Sequence, residues 1–380
     1  MYNNPAGMTQ LMFQYARGGK LTIEEAKYKL HANAYIRTAG ETLARYCGVS
    51  QDDPVQLKRR LTALLSESAP WQKRDSIDKK VRTWVNRDIQ YIGRDSALQL
   101  AFALRLKTKD AEEMLWRLCG EGFHWRDPHD IVWLFALEHR LTYADACELY
   151  ARMFPANRQP RAAIDNPGTM TEVIKPYVRS IQNEEQLRLF LREAAPHLGT
   201  LRNTAYKLFM HFMELLKSAS MEDNLPESRK MPASEILATY LYNNMIPRSK
   251  RKRGSKKVDK IVKDAIQRDI QQNWPDEFAL TRMARRETNV TRKVLILLFL
   301  ACDGGKTQYG DHSFESPEDI FEDTYSRLSR MLADCGFPPL DPRTPFDWMV
   351  LYCMVADDLT EIDENILRFL SAIFQPAWDG

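Results

Sequence analysis

The side chains of this sequence with the longest chemical reach are cationic. Residues 248–260 read RSKRKRGSKKVDK, eight Lys or Arg against one Asp. Such a run neutralises phosphates and releases their counterions. Arg248, Lys250, Arg251, Lys252, Arg253, Lys256 and Lys257 are therefore candidate contacts to DNA or RNA. Downstream, LTRMARRETNVTRKVLILLFL (280–300) fits a helix-turn-helix, with Ala284 at the tight-packing position and Asn289-Val290 in the turn. Arg285, Arg286, Arg292 and Lys293 would face the nucleic acid, and Thr291 would cap the second helix. Against this, Val294 to Ala301 is almost wholly apolar, whereas a recognition helix needs one long exposed face. No aromatic residue interleaves the basic run, so stacking of single-stranded bases is not expected.

Other chemistries fit poorly. CDGGKT (302–307) ends like a phosphate-binding loop, but the first glycine of that motif would fall on Leu300. A helix end capped by Gly304 and Gly305 accounts for it. Cys119, His124 and His129 lack the close pairing of zinc ligands. DDLTEIDE (357–364) lacks the central Gly of a calcium loop. No GxSxG elbow occurs. No catalytic, cofactor or metal-binding residue is expected, and the protein reads as a non-enzyme.

The elements that position these residues read as helices. Gly is scarce, at 16 of 380 residues, and few stretches alternate as half-buried strands do. Apolar residues recur at three- and four-residue steps, so the expected fold is all-α. Two helical regions are expected: 1–156, then a proline-rich linker at 157–170, then 171–380 with the basic loop at 246–257. Within the first, RDSALQLAFALRLKTKDAEEMLWRL (94–118) aligns without gaps on HDIVWLFALEHRLTYADACELYARM (129–153), a 35-residue offset. Each copy reads as helix, short turn, helix, and Thr142-x-x-Asp145 resembles a capping box. The second helices carry Asp110, Glu112, Glu113, Asp145 and Glu148, carboxylates that would repel a DNA backbone. With Trp116 they are candidate protein-interaction residues. Trp125 and Trp133 are further candidate anchors, though at least two of the three tryptophans are expected in the core.

The tandem RD…AFALRL…DAEEML hairpins, together with CGFPPLDPRTPFDWMVLYCM (335–354), resemble segments of uncharacterised all-helical proteins of Gram-positive bacteria. That resemblance implies a bacterial cytosolic protein and no defined activity.

Composition agrees with a cytoplasmic location. The six Cys are widely spaced, as reduced thiols are, and no secretory signal or 18-residue apolar run is visible. The net charge is +3, with the basic excess concentrated in 248–260. The expected function is that of a regulatory or adaptor protein acting through helical surfaces on a protein partner or a second copy. The alternative is a DNA-binding regulator using 248–263 and 280–300.

Overall fold

The computed structural model describes residues 22–31, 37–85, 89, 91–154, 170–199, 201–222, 241, 246, 265–303, 317–355 and 361–374. Among them are 17 α-helices, one 3-10 turn and no strand, so the fold is all-α. Two compact units divide the chain. One comprises 37–203 with 336–338, the other 1–36, 204–335 and 339–380. The second holds both chain ends and is called the terminal unit.

The 37–203 unit is a stack of helices whose starts and stops follow local chemistry. α2 (Ala39–Cys47) opens on a capping box between Thr38 and Glu41 and closes on Gly48, whose φ of 62° is left-handed. α3 (Pro54–Ser68) opens on Asp53, which accepts the Gln56 amide, with Pro54 at the first helical position. Leu57, Leu61 and Leu65 recur every four residues and are buried. Each stabilises the fold by about 1.5–3 kcal/mol. They meet Ile77, Val81 and Trp84 of α4 (Arg74–Val85) as α3 and α4 pack.

Two more helix pairs follow: α5 (Arg94–Ala103) on α6 (Thr108–Cys119), and α7 (Pro128–Glu138) on α8 (Tyr143–Met153). The turns inside them are alike. Arg105 and Arg140 both have positive φ, 50° and 53°. In each the turn residue and its successor donate to carbonyls three and five positions back. This closing geometry satisfies helix-end carbonyls. Thr142 and Asp145 make the capping box at the start of α8. α9 (Met170–Ser180) and α10 (Glu184–Glu193) pack on α7, so helices on both sides of 155–169 belong to one unit.

The terminal unit holds α1 (Ile23–His31) and α11 to α17. These are α11 (Asn203–Glu222), α12 (Ala265–Asn273), α13 (Glu277–Ala284), α14 (Arg292–Asp303), α15 (Pro317–Asp334), α16 (Pro345–Cys353) and α17 (Glu361–Phe374). Arg286, just past α13, is a third left-handed arginine with φ 61°. α14 is buried continuously from Val294 to Leu300 and packs on α15 and α17. α17 also packs on α1 and α16. No described helix is long and apolar enough to cross a membrane.

Candidate functional site

Tyr143 and Tyr150 lie two turns apart on α8 and so share a face. Trp133 of α7 fits between them. Its ring stacks on Tyr143 at 6.1 Å and on Tyr150 at 5.3 Å, with interplanar angles of 13° and 20°. Trp71, in the turn between α3 and α4, extends the row by stacking on Tyr143 at 6.2 Å and 16°. Phe102 abuts Trp133 edge-on. At the far end His129 stacks on Phe154 at 4.3 Å and hydrogen-bonds the Tyr150 hydroxyl through Nδ1. Trp71 is 57% exposed, and Trp133, Tyr143, Tyr150 and Phe154 are half-buried. The result is a ribbon of near-parallel rings, each of them partly exposed to solvent. Asp95 is close enough for its charge to act on Tyr143, Cys147 and Tyr150.

A part-buried charge cluster fixes the start of α7, the helix that carries Trp133. Arg94 Nη2 donates to both Asp130 oxygens at 2.9 and 2.8 Å, and Nη1 to the Gly122 carbonyl at 3.0 Å. Asp130 also accepts the His124 amide at 2.7 Å. Asp127, which caps α7 through the His129 amide, stands beside it. Burial and then the Asp130 charge push its carboxyl up to about 7, against the His129 amide, Arg94 and Arg202. His124 is held neutral. Burial, then Arg202, Arg126 and Arg94, drive its pKa well below the usual value. Gly122 is required here, because a Cβ would overlap the Trp116 indole.

The acidic hairpin residues are mostly exposed, and four of the five have a neighbour on or beside their own helix. Glu113 pairs with Arg117 at 2.8 Å. Glu148 lies 3.9 Å from Arg152, which also binds Glu184 at 3.0 Å. Asp145 is the capping partner of Thr142. Glu112 is part-buried against Trp125, and that burial raises its pKa. Asp110 is exposed in the first turn of α6. Of the three tryptophans, Trp125 alone is in the core, under Arg179 and Lys175, while Trp116 and Trp133 are half-buried. The expectation that at least two would be core fails because Trp116 and Trp133 both keep part of their surface exposed, Trp133 in the ring row with Tyr143 and Tyr150.

The basic candidates are placed differently from one another. Arg248, Lys250, Arg251, Lys252, Arg253, Lys256 and Lys257 lie outside the described residues. Arg285 is exposed. Arg286 covers the Tyr206 ring at 4.7 Å. Arg292 donates to both Asp347 oxygens at 2.8 Å. Lys293 is nearly buried, 3.8 Å from Asp269 and 5.0 Å from the Phe346 ring centre. Burial lowers its pKa to about 8, against the pull of Asp269 and Asp347. The structure therefore brings Arg292 and Lys293 to internal carboxylates.

Sequence reasoning missed the aromatic ribbon. Tyr143 and Tyr150 at a seven-residue interval, followed by Phe154, was its only local trace. Trp71 joins from a distant turn. Among the described residues no group of three or more His, Cys, Asp or Glu could hold a metal ion. No protein-family model, curated protein or solved structure matches the chain.

Proposed function

We propose that this chain is a non-enzymatic interaction protein, regulatory or adaptor in kind, that engages a protein partner through the ribbon Trp71–Tyr143–Trp133–Tyr150. The reading rests on one observation: four stacked rings held in register, with the terminal tryptophan more than half exposed. Large aromatic side chains dominate protein–protein binding energies, and rings already fixed by stacking lose little freedom on binding. The Arg94–Asp130 cluster then acts as the anchor that holds α7, and with it Trp133, in place. Asp95 beside the rings disfavours a phosphate backbone and favours a partner segment carrying Lys or Arg, whose cations attract both carboxylates and ring faces.

The test is site-specific photo-crosslinking in cells that make the protein. A photoreactive phenylalanine analogue replaces Trp71 in one strain and exposed Lys58 in another. A discrete protein adduct from position 71, absent from position 58 and lost with Tyr143→Ser, is the expected result. Identical patterns from both positions, or an adduct indifferent to Tyr143→Ser, would remove the ribbon from the function.

A further inference from the structure

Two helix starts in different units share one construction. Asp130 and Asp347 are each the third residue of a helix opening on proline, Pro128 and Pro345. Each carboxylate is held through both oxygens by the first residue of an earlier helix, Arg94 of α5 and Arg292 of α14. That arginine also donates to the carbonyl eight positions before the aspartate, Gly122 at 3.0 Å and Pro339 at 2.9 Å. Each aspartate accepts the amide six positions before it, His124 at 2.7 Å and Asp341 at 2.8 Å. The amide three positions before it donates back to that same residue's carbonyl, Asp127 to His124 and Thr344 to Asp341.

Upstream, α6 ends on Cys119 and α15 is followed by Cys335, and each Cys precedes a left-handed Gly, Gly120 at φ 73° and Gly336 at φ 69°, ten and eleven positions before the respective aspartate. Capping rules relate only the few residues from N-cap to N3. They require neither the distant arginine nor the bonds six and eight positions upstream. A shared register across two stretches of one chain is what a repeated unit produces.

We propose that the two units carry two copies of one helical module, and that residues 122–130 and 339–347 are interchangeable between them. The copies differ three positions past the aspartate. There the first has half-exposed Trp133 and the second has buried Val350. On the functional reading above, the aromatic ribbon is an addition to one copy, and the arginine–aspartate clasp is the shared frame.

The experiment transplants the nine residues 122–130 onto 339–347 in the full chain, and in a second protein makes the reverse exchange. Order-scrambled nine-residue segments serve as controls. Unfolding in urea is followed by circular dichroism, with Arg292→Ala or Arg94→Ala added to each background. The module predicts that at least one transplant unfolds in a single transition. In it, the arginine substitution should reduce the folding equilibrium constant within about tenfold of its effect in the native sequence. The proposal falls if both transplants behave like the scrambled segments, or if a folded transplant is indifferent to the arginine. Because the readout is folding alone, failure of the partner-binding reading leaves this result intact, and the converse also holds.

Discussion

Arg292 and Asp347 face each other through two N–H···O bonds of 2.8 Å, with side chains 10% and 4% exposed. The pair clamps the start of α14 to the start of α16, and the Pro339 carbonyl takes a further bond from the same guanidinium. Removing one partner of such a pair leaves a buried charge uncompensated, which costs about 3–5 kcal/mol. Asp347→Ala is expected to lose stability on that scale in chemical denaturation. The double variant Arg292→Met, Asp347→Leu should recover most of it. Equal losses in both would mean that packing, not charge, carries the contact.

Asp127 gives the 37–203 unit a pH dependence. Its carboxyl titrates at about 7 in the folded chain and in the ordinary acidic range when unfolded. Over that interval the folded state holds the extra proton, so stability falls as pH rises towards 7. His124 works in the opposite sense: it stays neutral when folded, so stability falls as pH drops below its ordinary pKa. The difference between wild type and Asp127→Asn isolates the first effect. Asn retains the cap. The variant should gain stability relative to wild type between pH 4 and about 7, and hold that gain above it. A flat difference would mean that Asp127 is ionised throughout.

Lys293 has the reverse signature in the terminal unit. Its pKa is lowered to about 8 by burial, so between pH 8 and its ordinary value near 10.5 the unfolded chain holds the extra proton. Stability attributable to Lys293 therefore rises with pH across that range. The buried thiols titrate oppositely above about 9, because burial pushes Cys47 to about 11 and Cys119 to about 12. The comparison is again made as a difference, wild type minus Lys293→Met, which should grow from pH 8 upward.

Thiol reactivity should rank by burial. Cys147 is half-buried on α8, whereas Cys353, the last residue of α16, is fully buried, and that burial raises its pKa strongly. Brief alkylation of the native protein at pH 8, read by mass spectrometry, should label Cys147 first and Cys353 last. Comparable rates would show that α16 opens on the labelling timescale.

Any duplex binding should not depend on Lys293. Replacing Lys250, Arg251, Lys252 and Arg253 with neutral residues is expected to flatten the salt dependence of anisotropy titrations, while Lys293→Met leaves it unchanged. A shallower salt slope for Lys293→Met would place that ammonium on a phosphate instead of beside Asp269.

What was legible in the sequence was local. Helical periodicity, the Thr142–Asp145 capping box and the apolar body of α14 each depend on residues a few positions apart. What was not legible depended on distant partners. Arg292 and Lys293 near a helix start look the same from sequence whether they face solvent or a carboxylate. Asp347 lies 55 residues from Arg292. The ribbon was hidden for the same reason, since Trp71 and Trp133 meet Tyr143 only after three elements have packed. The acidic helices are legible too, but not the pairing of their exposed carboxylates: Glu113 meets Arg117 and Glu148 lies near Arg152, one turn along.

The continuous burial of α14 has a consequence for synthesis. Val294 to Leu300 is covered by α15 and α17, both encoded downstream, the last ending at Phe374. At bacterial to eukaryotic elongation rates, roughly 4–15 s separate the making of this apolar segment from the making of its final cover. During that interval the nascent chain presents seven consecutive apolar side chains, with Arg292 and Lys293 as flanking charges on their N-terminal side, the kind of stretch that chaperones hold and that aggregates when they do not. Yield in the cell should therefore respond to translation speed across 300–374.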